Sequence, residues 1–166
     1  MRRAVSSRRL VWAAAAVLVS QAGPAQPAWV FTPEAGATIR RVWELSIRAE
    51  QERVACMAGV VGADTVVIAG VQSLEPDEAD SLTANAEASL EQCGPPQWIG
   101  TIHTHVRSTD DPAPSPHFSG HDRVVMSLWA SRWRRPGAFC VAYSPRAAHC
   151  EVYPLRAPAR ESGTGH

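Results

Sequence analysis

The sequence predicts one α/β domain of the α+β type, with a central mixed β-sheet flanked by about three helices. At 166 residues the chain has room for one domain of ordinary size. Short β-prone segments alternate with longer stretches whose apolar residues recur at helical spacing. Two pairs of β-prone segments flank short turns, Gly62-Ala63-Asp64 and Ser144-Pro145-Arg146, and each pair predicts a hairpin.

Residues 1–22 have the composition of an export signal. Four arginines precede an apolar run, Leu10 to Val19, that is too short to span a bilayer. Ser20-Gln21-Ala22 places small residues at the −3 and −1 positions, so we expect cleavage after Ala22 and no stable membrane span afterwards. An uncleaved anchor is the alternative. The segment Ser7 to Val11 also resembles a twin-arginine signal, although an ordinary basic start explains it equally well.

The charge of the chain is balanced, with 16 basic and 16 acidic residues, and every basic residue is arginine. Such a chain offers no general electrostatic basis for binding nucleic acid, because that binding depends on an excess of positive charge. We therefore expect no nucleic-acid partner.

The domain is predicted to occupy residues 35–154. Residues 23–34 contain three prolines and predict a linker, and residues 155–166 predict a flexible tail because they are rich in Pro, Ala, Gly and Ser. A helix is expected over residues 35–51, where apolar residues recur at helical spacing.

Two strands, residues 54–61 and 65–71, should follow Glu52 and form the first hairpin. The acidic segment 75–80 leads into a predicted helix over residues 81–92, whose charges should face solvent.

The centre of the chain carries the clearest chemical pattern. Residues 98–102 predict a strand that leads directly into His103-Thr104-His105. Residues i and i+2 of a strand point to the same face, so His103 and His105 should converge while Thr104 faces away. Two such imidazoles can occupy two corners of a zinc tetrahedron, with Zn–N distances of ~2.0–2.1 Å.

A third ligand is expected from Asp122. Ser119 to Asp122 predicts the first turn of a helix that enters beside the end of the strand. The same residues also fit a purely structural capping box, with Ser at the N-cap and the acid at N3. Four other residues of this region are alternative ligands that we rank lower: Asp110, Asp111, His117 and His121.

The last part of the domain should contain a helix to about Trp133 and a closing hairpin formed by residues 139–143 and 149–153. Three arginines at the end of the helix complement its dipole, or hold an anionic group: Arg132, Arg134 and Arg135.

Four cysteines in an exported chain indicate disulfides, and four cysteines allow three connectivities. Cys140 and Cys150 lie on facing arms of the hairpin and are the preferred pair, which leaves Cys56 with Cys93. The alternative, for a chain that is not exported, is four reduced cysteines that serve as small core residues.

With these elements in order, the chain resembles the JAMM (MPN+, JAB-domain) zinc metallopeptidases over about residues 36–154. Three segments carry the resemblance: Glu52 to Gly59, Gly100 to His105, and Ser119 to Asp122. The chain departs from the family pattern at Ala55, where Gly is usual, and at Val106, where Pro is usual. The loop over residues 106–118 is also longer than in typical members.

The resemblance implies an MPN/JAB-like fold and hydrolysis of a peptide or isopeptide bond in a peptide or protein substrate. It implies one Zn²⁺ per chain held by His103, His105 and Asp122, with Glu52 as general base and Ser119 as donor to the oxyanion. An export signal favours an exported or envelope peptide as substrate. The alternatives are a non-catalytic MPN-like binding module and an envelope protein that sequesters metal through its histidines.

Overall fold

The computed structural model describes residues 26–74, 88–106 and 113–154. The predicted export signal, the predicted tail, the first part of the second helix and the pair Asp110 and Asp111 lie outside these ranges. The described elements are, in chain order, β1 (Ala28–Phe31), α1 (Pro33–Ala49), β2 (Val54–Val61), β3 (Thr65–Ser73), α2 (described over 88–92), β4 (Gly100–Thr104), α3 (Gly120–Trp133), β5 (Gly137–Ser144) and β6 (Ala147–Tyr153).

The six strands form one mixed sheet in the order β1-β3-β2-β4-β5-β6. The β1–β3 and β4–β5 pairs are parallel, and the other three pairs are antiparallel. Both predicted hairpins are present, as β2–β3 and β5–β6. The predicted mixed α/β architecture, with a central sheet and three helices, is therefore confirmed.

The segment predicted as a linker differs from the expectation, because residues 28–34 form β1 and the start of α1. Backbone pairing with β3, from Ala28 opposite Thr65 to Phe31 opposite Ile68, holds β1 in the sheet. Thr32 then caps α1 by accepting a hydrogen bond from the Ala35 amide at 3.2 Å, and Pro33 occupies the first helical position. Pro27 precedes β1 and Pro33 begins α1, so neither proline lies in the interior of a strand or helix.

Helices cover both faces of the sheet. Trp43 of α1 packs against a core that includes Ile102 and Cys140, whereas Trp129 of α3 packs against Phe139. Because Phe139 and Cys140 are neighbours on one strand, these two cores lie on opposite faces. We call them the α1 face and the α3 face.

Two disulfides cross-link the described chain, Cys56–Cys93 and Cys140–Cys150, so both preferred pairings are confirmed. Cys140 and Cys150 occupy opposite positions in the β5–β6 pairing. Disulfides persist in oxidising environments, so this covalent structure fits an exported protein. Across the described ranges no helix combines the length and apolarity needed to cross a membrane.

Candidate metal centre

The candidate centre begins with two histidines at the end of β4. His103 lies on the strand, and His105 follows its last residue but continues the pairing, since its amide donates to the Ala142 carbonyl at 2.9 Å. The two imidazoles point to the α3 face, with their Nε2 atoms 3.1 Å apart. Their side chains are 14% and 12% exposed, so both are shielded but reachable from solvent.

A glycine fixes the path of the strand that carries these histidines. Gly100 begins β4 with φ at +152°, and a Cβ there would lie 1.7 Å from the Ala138 carbonyl oxygen of β5. Only glycine allows the two strands this close approach. The glycine therefore sets the position of β4 against β5, three residues before His103.

Asp122 reaches the histidines from the first turn of α3. Its Oδ1 lies 3.4 Å from Nε2 of His103, and its Oδ2 lies 3.8 Å from Nε2 of His105. The predicted capping box is also present. Ser119 Oγ accepts from the Asp122 amide at 3.2 Å, and Asp122 Oδ2 accepts from the Ser119 amide at 2.6 Å. One carboxylate therefore serves the helix cap and faces the imidazoles at the same time.

The geometry of these three side chains fits a bound metal ion. Their potential ligand atoms all lie within 4.8 Å of one another, and no other such group occurs in the part of the chain that the structure describes. A tetrahedral zinc with bonds of ~2.0–2.1 Å separates its ligand atoms by about 3.3 Å, close to the distances observed here. The group His103, His105 and Asp122 could thus hold a metal ion, as the sequence predicted.

The loop before α3 orients His105. The Nδ1 atom of this imidazole lies 2.7 Å from the carbonyl oxygen of Ser115, so Nδ1 carries the hydrogen and donates it. The lone pair of a neutral ring is then on Nε2, the atom that faces His103 and Asp122. Metal-binding histidines are commonly held in this way, by a hydrogen bond from the nitrogen that does not bind the metal.

The electrostatics of the site favour a charged aspartate. Burial alone would raise the pKa of Asp122, but its interactions with His103 and His105 outweigh burial and hold that pKa far below the ordinary range. Burial alone would lower the pKa of His105, but the bonds to Asp122 and Ser115 raise it overall. The carboxylate is therefore ionised and available as a ligand at any physiological pH.

Glu52 lies beside this group because β2 and β4 are antiparallel neighbours. Val54 pairs with His103, and the Thr104 amide donates to the Arg53 carbonyl at 3.0 Å. Continuing this register places Glu52 opposite His105, on the same face of the sheet. Burial raises the pKa of Glu52, while the nearby imidazoles partly offset this effect. A half-buried carboxyl group with a raised pKa at this position has the environment of a proton-transfer group.

Of the alternative ligands, His117 and His121 are not part of the group, and Asp110 and Asp111 lie outside the described residues. The ring of His117 lies 6.0 Å from the ring of His149, and His121 is exposed on the first turn of α3.

At the other end of α3, Arg132 pairs with Glu91 at 3.7 Å, which is a structural contact.

Several residues that support the site were not found from the sequence. Thr104, between the two histidines, bonds to Ser46 of α1 on the opposite face. Ser115 holds His105, and Arg123 binds Glu151 of β6. Strand alternation indicated that Thr104 faces away from the site, but no local pattern identified these partners, which lie up to 58 residues apart.

Comparisons of this chain with protein-family models and with curated proteins find no match. The functional case therefore depends on the residues and their geometry.

Proposed function

We propose that this protein is an exported zinc-dependent peptidase or isopeptidase of the JAMM type. The observation that carries the proposal is the convergence of His103, His105 and Asp122, with Glu52 on the adjacent strand end. Two imidazole nitrogens and one carboxylate oxygen are a ligand set that zinc takes at hydrolytic sites, where a fourth position stays open for water.

The metal would supply two effects, lowering the pKa of water and polarising the scissile carbonyl. The remaining chemistry belongs to the chain. Glu52 accepts the proton of the attacking water and returns it to the departing amine, as a general base and then a general acid. Its partial burial near the imidazoles supports this role, because a raised pKa makes the carboxylate a stronger base, while the proton can still pass to the more basic departing amine.

Ser119 would stabilise the oxyanion of the transition state. Its capping bond uses a lone pair of Oγ, which accepts from the Asp122 amide. A serine hydroxyl has one hydrogen to donate in addition to its lone pairs, so capping does not consume the donor. The two roles that the sequence assigned to this residue are therefore compatible.

The substrate we propose is an exported peptide or a cross-linked peptide of the cell envelope. The two disulfides support an oxidising compartment. Residues 1–22, which have the composition of an export signal, also support an exported protein.

The test begins with metal content. Elemental analysis of the purified protein should find one zinc per chain, and His103→Ala should lose it. Glu52→Gln should keep the zinc but lose most hydrolysis of a panel of peptides and isopeptides, because the amide cannot accept the proton. A folded protein without zinc would contradict the proposal and favour a binding module. Several weakly held ions per chain would favour metal sequestration.

A further inference from the structure

Helix α3 carries an arginine near each end, and each arginine lies beside a glutamate and an aromatic ring. Arg123 donates through Nη1 and Nη2 to the two carboxylate oxygens of Glu151, with the Nη2–Oε1 distance at 2.8 Å. Its guanidinium lies 5.4 Å from the centre of the Phe118 ring. Arg132 lies 3.7 Å from Glu91 and 5.5 Å from the centre of the Trp133 ring. The two ends differ in what lies beside them, since Arg123 directly follows Asp122.

The contacts of Arg123 connect the first turn of α3 to the sheet. Phe118 precedes the N-cap and Arg123 is the fourth residue after it, which are the positions that form a hydrophobic staple. Phe118 is buried, and its ring lies 6.0 Å from the ring of His103. Glu151 lies on β6 and also accepts a hydrogen bond from His149, at 3.0 Å.

The rest of α3 is held independently of these contacts. Met126 and Trp129 are buried in the core of the α3 face, and Trp129 donates to the Cys93 carbonyl at 3.0 Å. The first turn, by contrast, is exposed at Ser119, Gly120 and His121. The position of that turn therefore depends on Phe118 and on the pair formed by Arg123 and Glu151.

We propose that Arg123 and Glu151 are positioning residues, which hold the first turn of α3 so that Asp122 reaches His103 and His105. This inference rests on the proposed metal site. Two parallel hydrogen bonds between a guanidinium and a carboxylate fix orientation as well as distance. An exposed ion pair contributes little to stability, so the effect of this pair is expected in the affinity for metal.

The test is a titration of the full metal-free chain with Co²⁺, followed by its visible absorption, in matched arginine variants. Arg123→Gln should raise the cobalt Kd by about 10- to 100-fold, the usual effect of losing a group that orients a metal ligand. Arg132→Gln removes the weaker ion pair at the other end of the same helix and should change the Kd less than about 2-fold, since ten residues of helix, about 15 Å, separate Arg132 from Asp122. Thermal unfolding should be similar in the two variants.

Two further variants keep the test decisive if Arg123→Gln does not fold. Arg123→Lys keeps the charge but not the paired geometry, so its Kd should be intermediate. Glu151→Gln should weaken cobalt binding as Arg123→Gln does. Parent-like affinity in Arg123→Gln and Glu151→Gln would overturn the positioning role, as would equal weakening by Arg132→Gln. A folded parent that binds no cobalt would overturn the metal site and this inference together.

Discussion

The two faces of the sheet use the end of β4 in different ways. On the α3 face, His103 and His105 converge with Asp122 and remain partly exposed. On the α1 face, Thr104 is buried, with its hydroxyl 2.7 Å from Ser46 Oγ and 2.8 Å from the Arg53 amide. Successive residues of one strand thus belong to two separate polar clusters.

The two clusters differ in the kind of groups that they bring together. Ser46 donates to the Val42 carbonyl at 3.1 Å, so Thr104 can donate to Ser46 while it accepts from the Arg53 amide. This neutral chain of bonds is complete, as expected of buried structural groups. On the α3 face, by contrast, two imidazole nitrogens and a carboxylate oxygen lie within 4.8 Å of one another. All three are atoms that bind metal ions, so this cluster can hold an ion, whereas the hydroxyl cluster around Thr104 is purely structural.

The largest effect is expected from a change that disturbs both faces at once. Gly100→Ala should destabilise the protein by more than about 3 kcal/mol, because the added Cβ meets the Ala138 carbonyl and the backbone conformation suits only glycine. Urea unfolding measures this. Gly36→Ala is the control, since nothing lies within 4 Å of the added atom and alanine favours the helix. A stability of Gly100→Ala equal to that of Gly36→Ala would contradict the strand geometry.

The next effect separates stability from metal binding. Thr104→Val should lower the free energy of unfolding by about 2 kcal/mol, because the buried Ser46 hydroxyl and Arg53 amide both lose the Thr104 hydroxyl as a partner. The metal content of the folded protein should not change. Urea unfolding and elemental analysis check the two halves. The double variant with Ser46→Ala should cost less than the sum of the single changes, since both remove one interaction.

The converse change acts on the α3 face. Asp122→Asn keeps an oxygen that can accept from the Ser119 amide. The free energy of unfolding should therefore fall by only about 0.5–1 kcal/mol, because the negative charge at the N-terminus of α3 is missing. The zinc content should fall sharply, because a neutral amide is a poor ligand for zinc. Circular dichroism and elemental analysis together test this. A variant that keeps full zinc content would move the third ligand elsewhere.

The smallest expected effect is on pH dependence. Hydrogen bonding to Arg123 lowers the pKa of Glu151 below its ordinary value, although burial opposes it. The folded carboxyl therefore binds its proton less tightly than the unfolded one. Its contribution to stability is full above about pH 5 and is lost as pH falls through the lowered pKa. The stability difference between parent and Glu151→Gln should shrink below pH 4.5 in urea titrations.

The loss of stability caused by Thr104→Val is the control for this pH effect. Neither the Ser46 nor the Thr104 hydroxyl titrates, so the loss of stability in Thr104→Val should stay constant over the same pH range. Equal pH dependence in the two variants would contradict the contrast between the faces.

Local patterns predicted much of this molecule. The bounds of β2 match the expectation, both hairpins follow their turn sequences, and strand alternation brought His103 and His105 to one face. The capping pattern at Ser119 placed Asp122 on the first turn of a helix. Each of these features is decided within a few residues, where spacing and turn chemistry are sufficient.

The features that the sequence did not reveal depend on distant partners. β1 exists through its pairing with β3, more than thirty residues away, and its neighbouring prolines suggested a linker. The bond between Ser46 and Thr104 and the pair of Arg123 with Glu151 span 58 and 28 residues. No local pattern specifies such pairs, because the choice of partner is fixed only when the sheet and helices pack.

The two disulfides also determine how the molecule would come apart under proteolysis. Cys56–Cys93 encloses residues 57–92 and Cys140–Cys150 encloses residues 141–149, so a single cut within either loop leaves one covalent molecule. A cut between residues 106 and 118 falls in neither loop. It would leave Glu52, His103 and His105 on one fragment and Asp122 on the other. After such a cut, only strand pairing and packing would hold the two parts of the candidate centre together.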